Sequence, residues 1–269
     1  MHRTHSIFTL LILIGCALFI GNIYWPKGNG SPKPSVELTV LAASSMTDTV
    51  TKLASLYEKE HPEIKILPTY ASSGTLQKQI EEGAPGDLLL SAGEQEMRNL
   101  IQAHLINNRL HTNLLTNQLV LIAPSTKSKI KRFDDLKRSS IQQVIIGQPK
   151  TVPAGRYAKQ TLTSLKLMDH LHSKMIFAGD VRQVLASVQT GNADAGLVYL
   201  TDTLGQMNIR VIDSAPPKSH DPIRYPIGVI RNTEHPKEAK QLYKWLQSKK
   251  ALQVFHQAGF QTLRKPFSL

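Results

Sequence analysis

The sequence predicts an α/β fold, and three observations lead to this class. From Val36 onwards, short runs rich in β-branched residues alternate with amphipathic stretches, the pattern of strands that alternate with helices. The chain has 269 residues, 41% of them hydrophobic, which is enough for one or two domains with cores of ordinary size. A junction of small residues between a strand and a helix also recurs, and open α/β sheets bind ligands at such junctions.

The predicted elements follow one another in a regular order. The runs that predict strands are residues 37–41, 64–69, 88–91, 119–123, 143–147, 196–199, 211–212 and 227–230. The stretches that predict helices are residues 47–61, 76–82, 94–103, 156–165, 181–190, 236–248 and 251–258. In the first of these helices, Val50, Leu53 and Tyr57 fall on one stripe, as a helix that covers a sheet requires. We therefore assign such apolar residues to the core.

The first 25 residues predict an export segment. Arg3 precedes an almost unbroken apolar run over residues 7–20. Within that run, Leu13-Ile14-Gly15-Cys16 resembles the bacterial lipobox, and this resemblance implies that Cys16 carries diacylglycerol. An uncleaved membrane anchor is the alternative, because residues 7–25 approach the roughly 20 residues that cross a bilayer. Both alternatives place the rest of the chain outside the cytoplasm, after a linker of Gly, Pro, Lys and Ser over residues 26–35.

The composition excludes several classes of protein. A single cysteine excludes internal disulfides, zinc held by several thiolates and iron–sulfur clusters. The 32 Lys and Arg residues exceed the 20 Asp and Glu residues, for a net charge of +12. These basic residues are spread along the whole chain, and aromatic residues make up only 6%. We therefore predict a basic, solvated surface and no nucleic-acid partner.

The recurring junctions predict an anion site. The start of a helix leaves unpaired N–H groups and a partial positive charge, so several converging starts can hold an anion without a cationic side chain. Ser45 and Ser73 each add a hydroxyl, while Gly74 and Gly155 leave room for a close approach. Each serine taken singly is equally compatible with an ordinary helix N-cap. Four such junctions in one chain, at residues 41–47, 70–75, 152–155 and 177–181, favour a shared site over separate caps.

At these junctions the sequence resembles a known family, the periplasmic molybdate-binding proteins of ABC transporters, which are two-lobed solute-binding proteins of type II topology. The resemblance runs from about Leu38 to Phe260. It rests on the order and spacing of the segments VLAASSMT (40–47), ASSGTL (71–76), GAPGDL (83–88), NQLVLIAP (117–124), VPAGRYA (152–158), DVR (180–182), GLVYLTD (196–202), YPI (225–227) and AGF (258–260). The resemblance implies a ligand cleft between two α/β lobes.

The resemblance also implies the residues that bind the anion. It implies donation from the hydroxyl and backbone N–H of Ser45 and of Ser73, from the backbone N–H of Ala154 and of Val181, and from the phenol of Tyr199. The ligand is then molybdate, or tungstate of nearly the same size, with the metal held only as the oxyanion and with no cofactor. Gly74 departs from the family, which commonly has a third serine at this position. This difference leaves the choice between Ser72 and Ser73 as the ligand open.

The implied organisation has two lobes that the chain joins by two crossings. Lobe one comprises residues 36–115 and 225–269, and lobe two comprises residues 116–224, with crossings near residues 116–119 and 224–227. The resemblance further implies a monomer that closes on its ligand and docks on a membrane permease. We expect the protein in the periplasm or on the outer face of the cell membrane, held there by its N-terminal anchor.

Other functions are weighed against this one. An enzyme would need a nucleophile and a base within reach, and no G-x-S-x-G, H-E-x-x-H or P-loop motif occurs. We expect Asp87, Asp180 and Asp202 near the cleft as helix caps or lobe contacts, and Arg156 and Arg182 facing outward or bridging the lobes. The effector domain of a transcription regulator would need a DNA-binding segment where the export segment lies. A binding protein for another tetrahedral oxyanion, such as sulfate, is the remaining alternative.

Overall fold

The computed structural model describes residues 36–126 and 129–263. The predicted signal or anchor segment 1–25 with Cys16, and the predicted linker 26–35, lie outside the described residues. Among the described helices, none has both the length and the apolar composition that crossing a bilayer requires.

The described residues form eleven strands and eight α-helices. The strands are β1 (Val36–Ala43), β2 (Ile64–Ala71), β3 (Leu88–Leu90), β4 (Ile106–Thr116), β5 (Leu119–Pro124), β6 (Val144–Gly147), β7 (Met175–Ala178), β8 (Ala195–Tyr199), β9 (Ile209–Ser214), β10 (Arg224–Ile230) and β11 (Gln261–Thr262). The helices are α1 (Thr47–Glu60), α2 (Ser73–Glu81), α3 (Glu94–Gln102), α4 (Pro153–Ser164), α5 (Met168–Leu171), α6 (Val181–Gln189), α7 (Pro236–Trp245) and α8 (Lys249–Gln257). Short 3-10 turns occupy Ser44–Met46, Phe133–Lys137 and Leu200–Thr203.

The strands form two separate sheets. The first has the order β11-β4-β10-β3-β1-β2, in which β1 is parallel to β2 and β3 while β10 runs antiparallel. The second has the order β7-β6-β8-β5-β9, in which β6 is parallel to β7 and β8 while β5 runs antiparallel. We call the first sheet with α1, α2, α3, α7 and α8 lobe one, and the second sheet with α4, α5 and α6 lobe two. This architecture is the predicted two-lobed α/β fold.

Two crossings connect the sheets and lie side by side. The chain leaves lobe one after Thr116 at the end of β4 and enters lobe two at Leu119. It leaves lobe two after Ser214 and is back in lobe one at Arg224, whose neighbours pair with β3 and β4. The hydroxyl of Thr116 donates a hydrogen bond of 2.7 Å to the carbonyl of Ile223, which ties the two crossings together. The second crossing therefore lies in residues 215–223, before the predicted 224–227, because β10 already begins at Arg224.

The carboxyl ends of the buried strands position the small-residue junctions. In lobe one, β1 ends directly before the turn Ser44–Met46, and β2 ends directly before the start of α2. In lobe two, β6 leads to α4, β7 leads to α6, and β8 leads to the turn Leu200–Thr203. Because parallel strands carry these junctions at one edge of each sheet, the helix starts of each lobe gather on one side.

Candidate anion-binding site

The junctions of both lobes meet around one small cavity. Its lining residues are Ala43, Ser44, Ser45, Ser72, Ser73, Ala92, Val152, Pro153, Ala154, Val181 and Tyr199. All five predicted site residues lie in this set, and none of the lining residues carries a charged side chain. The space open to the centre of a water-sized sphere is about 10 Å³, about the room that one small group occupies.

Lobe one contributes two buried serine hydroxyls to the cavity. The Oγ atom of Ser45 lies 3.1 Å from the phenol oxygen of Tyr225, within the same lobe. The Oγ atom of Ser73 accepts a hydrogen bond of 2.9 Å from the N–H of Ala92. Since the Ser73 oxygen serves as acceptor there, its own hydrogen is left to donate in another direction.

Ser72 has a different part in the same helix start. It is the N-cap of α2, and its Oγ atom accepts from the N–H of Thr75 at 3.3 Å and lies 2.8 Å from the Thr75 hydroxyl. Its hydroxyl is therefore engaged by the helix, as expected of an N-cap. Ser73 is the first residue of α2, so its N–H has no partner inside the helix.

Lobe two contributes the starts of two helices. Helix α4 begins at Pro153, which has no N–H, so Ala154 carries the first backbone donor of that helix. Helix α6 begins at Val181, after Asp180, whose carboxylate accepts from the N–H of Gln183 at 3.0 Å. Asp180 is thus the helix cap that the sequence predicts. Both starts direct N–H groups and the positive end of a helix dipole towards the cavity.

Tyr199 ends β8 and adds a phenol to the cavity. Its side chain is 1% exposed, and its ring packs edge-on against Tyr225 with centroids 5.4 Å apart. Its hydroxyl donates a long hydrogen bond of 3.3 Å to the carbonyl of Ala92 in lobe one. Burial raises the pKa of the Tyr199 phenol well above its ordinary value, so the group stays protonated. Its single hydrogen can donate to an anion once it turns away from the Ala92 carbonyl.

Ala92 is the lining residue of lobe one that the sequence analysis misses. Its N–H donates to Ser73 and its carbonyl accepts from Tyr199, so it connects the donors of the two lobes. It lies in the segment 91–93 between β3 and α3. The missed signal is in the sequence: Ser-Ala-Gly between a strand and a helix repeats the junction pattern found elsewhere.

Asp202 lies directly behind Tyr199 and is almost completely buried. Its Oδ2 atom accepts from the backbone N–H of Tyr199 at 3.0 Å, and its Oδ1 atom has no hydrogen-bond partner among the described residues. Burial raises the pKa of this carboxyl to about 7, against the opposing effect of the Arg182 charge. The protein therefore holds a titratable carboxyl next to a wall of the cavity.

The expectation that Asp87 lies near the cleft is wrong. Asp87 precedes β3, at the end of the sheet opposite the cavity, where its carboxylate accepts from the N–H of Thr39 at 2.6 Å and from the hydroxyl of Thr233. The carboxylate thus connects β1 with the segment after β10. Its position before the strand, and not after it, explains the difference, because only the carboxyl ends of these strands face the cavity.

Arg156 and Arg182 both bridge the lobes and lie outside the set of residues that line the cavity. The Arg156 guanidinium forms two hydrogen bonds with Glu96, of 2.7 and 3.0 Å. The Arg182 guanidinium lies 2.5 Å from Asp48 and donates to the carbonyl of Ser44 at 3.3 Å. Each cation therefore has an acidic partner in lobe one.

Two glycines allow close backbone contacts beside the cavity. The N–H of Gly74 donates to the carbonyl of Thr151 across the cleft at 2.9 Å, and a Cβ atom at Gly74 would lie 2.6 Å from that oxygen. A Cβ atom at Gly155 would lie 1.9 Å from the carbonyl oxygen of Gly147, where α4 packs on β6. Each position excludes any larger residue in the observed arrangement.

Comparisons with known proteins cover nearly all of the described chain. The family model described as "Bacterial extracellular solute-binding protein" matches residues 38–261. A Bacillus subtilis (strain 168) protein named "Putative ABC transporter substrate-binding lipoprotein YvgL" is 39% identical over 266 residues, 97% of this chain and 99% of that protein. Haemophilus influenzae "Molybdate-binding protein ModA" is 36% identical over 231 residues, 84% of this chain and 90% of that protein.

A solved structure extends the similarity to three dimensions. The "substrate binding domain of putative molybdenum ABC transporter from Clostridium difficile" has a TM-score of 0.67 and 38% identity. The match covers 86% of this chain and 100% of that one. The residues that the family model matches, 38–261, include all the junctions around the cavity.

Proposed function

Because the chain belongs to the bacterial extracellular solute-binding proteins, as the substrate-binding protein of an ABC transporter, we propose that it captures molybdate and delivers it to a membrane permease. Members of this family are extracytoplasmic transport proteins and not enzymes. The anion is the transported cargo, tungstate is an equivalent ligand, and no cofactor takes part. Ser45 and Ser73 bind it from lobe one, and Ala154, Val181 and Tyr199 bind it from lobe two.

The observation that carries the proposal is the chemistry of the cavity wall. The lining offers hydroxyls, a phenol and the N–H groups of helix starts, with neither a carboxylate nor a cation. Molybdate and tungstate carry no proton at neutral pH, so a site that only donates hydrogen bonds satisfies all their oxygens. Phosphate retains a proton, and a buried donor without an acceptor costs about 1–3 kcal/mol. The wall therefore favours an unprotonated dianion over phosphate.

The size of the cavity supports the same class of ligand. A space of about 10 Å³ open to the centre of a water-sized sphere excludes a sugar or an amino acid in this arrangement of the lobes. Sulfate is also unprotonated and differs from molybdate by its smaller size. Sulfate is therefore the competitor that the experiment must include.

The same family membership supports the remaining partners. The Bacillus subtilis relative bears the name of a lipoprotein, and we propose that Cys16 is lipidated and holds the protein at the outer face of the membrane as a monomer. Closure of the two lobes on the anion is the signal that the permease recognises, since the ligand contacts both lobes only when they are together.

The test is calorimetric titration of the purified full-length protein with molybdate, tungstate, sulfate and phosphate, together with the Ser45→Ala/Ser73→Ala double variant. A hydrogen bond to a charged group contributes about 1.5–3 kcal/mol, so we expect each lost hydroxyl to weaken molybdate binding roughly tenfold to a hundredfold. The control is Ser248→Ala, which removes the N-cap of α8 in lobe one. It should lower stability by about 1 kcal/mol and leave affinity unchanged.

Two results would contradict the proposal. Molybdate affinity equal to that of the wild type in the double variant would reject the serines as ligands. Tighter binding of sulfate than of molybdate by the wild-type protein would assign it to the alternative oxyanion.

A further inference from the structure

Two ion pairs of the described residues join lobe one to lobe two, and they differ in burial. Glu96 and Arg156 have side chains that are 4% and 20% exposed. Asp48 and Arg182 have side chains that are 76% and 31% exposed. An exposed pair contributes little because water and salt screen it, whereas a buried pair responds strongly to the loss of either partner.

The buried pair has the geometry of a strong interaction. Glu96 lies in the first turn of α3 and Arg156 lies in the first turn of α4, so the two helices present their starts to each other across the cleft. The guanidinium and the carboxylate form two parallel hydrogen bonds, with Nη1 to Oε1 at 2.7 Å and Nη2 to Oε2 at 3.0 Å. Such paired bonds fix the relative orientation of the two groups as well as their separation.

The pair lies directly outside the cavity wall. A Cβ atom on Gly93 would lie 2.1 Å from Oε2 of Glu96 and 2.8 Å from Cγ of Pro153. Gly93 follows Ala92, and both Ala92 and Pro153 line the cavity. The ion pair therefore packs against Gly93, where the segment after Ala92 of lobe one meets Pro153 of lobe two.

From this position we infer that the Glu96–Arg156 pair is the latch that holds the lobes together, with Glu96 as the residue that positions Arg156 and neutralises its charge beside the anion site. The two partners belong to different lobes, so the pair exists only while the lobes are together. A single buried charge left at this place opposes closure, because its solvation is lost without compensation. The identity of the anion comes from the proposed function, but the latch does not depend on it.

The structure contains a reporter of closure that needs no ligand. The N–H of Gly74 donates to the carbonyl of Thr151 in the other lobe. Gly74 lies in the first turn of α2, where the amide has no partner within the helix. Hydrogen exchange at this amide therefore measures how often the lobes separate.

The experiment compares Glu96→Gln, Arg156→Gln and the Glu96→Gln/Arg156→Gln double variant in the full-length protein. In each single variant the Gly74 amide should exchange, without added anion, roughly tenfold faster than in the wild type. Arg156→Gln leaves an unpaired carboxylate beside the anion site, so it should also bind molybdate with a Kd roughly tenfold higher. The double variant leaves no unpaired charge, so its Gly74 exchange rate and its molybdate Kd should return most of the way to the wild-type values. The matched control, Asp48→Asn, breaks the exposed pair and should remain within about twofold of the wild type.

The possible results separate the inference from the proposed function. Unchanged Gly74 exchange in both single variants, or losses that simply add in the double variant, would overturn the latch. A packing defect would raise the Gly74 exchange rate and the molybdate Kd in the double variant at least as much as in the single ones, and this too would overturn the latch. If the Gly74 amide responds as expected while no tested oxyanion binds the wild type, the latch stands and the proposed function fails.

Discussion

The two lobes meet the cavity with different kinds of hydrogen-bond donor. Lobe one presents serine hydroxyls, each held by a partner in its own lobe: Ser45 by Tyr225, and Ser73 by the N–H of Ala92. Lobe two presents the backbone N–H groups of Ala154 and Val181 at the starts of α4 and α6. A substitution can delete a hydroxyl, but a backbone donor survives every substitution except proline as long as its helix does not move.

This difference bears on selectivity. A hydroxyl can rotate, and it can accept as well as donate a hydrogen bond, whereas a backbone N–H can only donate. For the proposed oxyanion, the N–H groups of Ala154 and Val181 therefore favour an unprotonated oxygen more strictly than the hydroxyls of Ser45, Ser73 and Tyr199 do. Differences among oxyanions should accordingly depend more on the position of α4 and α6 than on the two serines.

The largest expected effect comes from displacing the backbone wall of lobe two. In Gly155→Ala the new Cβ atom would meet the Gly147 carbonyl oxygen at 1.9 Å and its carbon at 2.4 Å. This obstacle is the backbone of β6, so the start of α4 must shift. Overpacking of this kind costs about 1–3 kcal/mol or more. We expect a lower melting temperature and the loss of measurable molybdate binding by calorimetry.

The control for this variant is Gly179→Ala in the same lobe. Its Cβ atom would first meet the flexible amide end of Gln183, at 3.3 Å, which can move aside. Its affinity and melting temperature should therefore stay near those of the wild type. Wild-type affinity in Gly155→Ala would show that the start of α4 does not belong to the site.

A smaller effect is expected from the side-chain donor of lobe two. Tyr199→Phe removes the phenol that lines the cavity and contacts Ala92. Loss of a hydrogen bond to an anion should weaken molybdate binding roughly tenfold to a hundredfold. Tyr225→Phe is the matched control, because the Tyr225 phenol contacts Ser45 and Asn117 within lobe one or its crossing and does not line the cavity. Equal losses of molybdate affinity in the two variants would show that the phenol that lines the cavity contributes no more to binding than the phenol that contacts Ser45.

Most of the cavity and four of the helix starts could be predicted from the sequence because their signals are local. Helices α1, α3, α6 and α7 begin at the predicted residues, whereas α2, α4 and α8 begin two or three residues earlier than predicted. Each predicted site residue lies at the end of a strand or the start of an element. Periodicity and small-residue junctions depend on neighbours within a few positions. The same local rule applies to Ala92, although the Ser-Ala-Gly junction was not recognised.

What could not be predicted depends on contacts between distant residues. Strand β4 was missed because Asn107, Asn108 and Arg109 have poor strand propensity, and the strand is held by pairing with β10 and β11. Strand β7 was also not predicted, because it has only four residues and lies at the edge of its sheet, paired with β6. The Glu96–Arg156 pair joins residues 60 positions apart, and no periodic pattern relates them. Such contacts follow from the arrangement of the lobes, which a single sequence does not specify locally.

The smallest expected effect comes from Asp202→Asn, because the amide oxygen of Asn can still accept from the N–H of Tyr199. The Asp202 carboxyl lies behind Tyr199 in lobe two, and among the described residues no such carboxyl holds the two serines of lobe one. Burial raises the pKa of Asp202 to about 7, whereas an unfolded aspartate titrates near 3.9. The folded protein therefore keeps this proton at pH values where the unfolded chain has already lost it.

The sign of the effect follows from linkage. Between pH ~4 and pH 7 the unfolded state binds fewer protons at this carboxyl, so its contribution to the free energy of unfolding is complete below pH ~4 and is lost as the pH rises through about 7. The advantage of the wild type over Asp202→Asn, measured by chemical unfolding, should therefore shrink across this range. The Arg182, Asp180 and Asp48 charges act on the same carboxyl, so the titration should shift when any of them is removed.

A dianion next to Tyr199 also favours the protonated carboxyl, and wild-type molybdate affinity should rise a few-fold from pH 8 to pH 6. If the molybdate affinity of Asp202→Asn depended equally steeply on pH, the proton would belong to another group. The lobe-one and lobe-two sides of the cavity would then not differ in their response to pH.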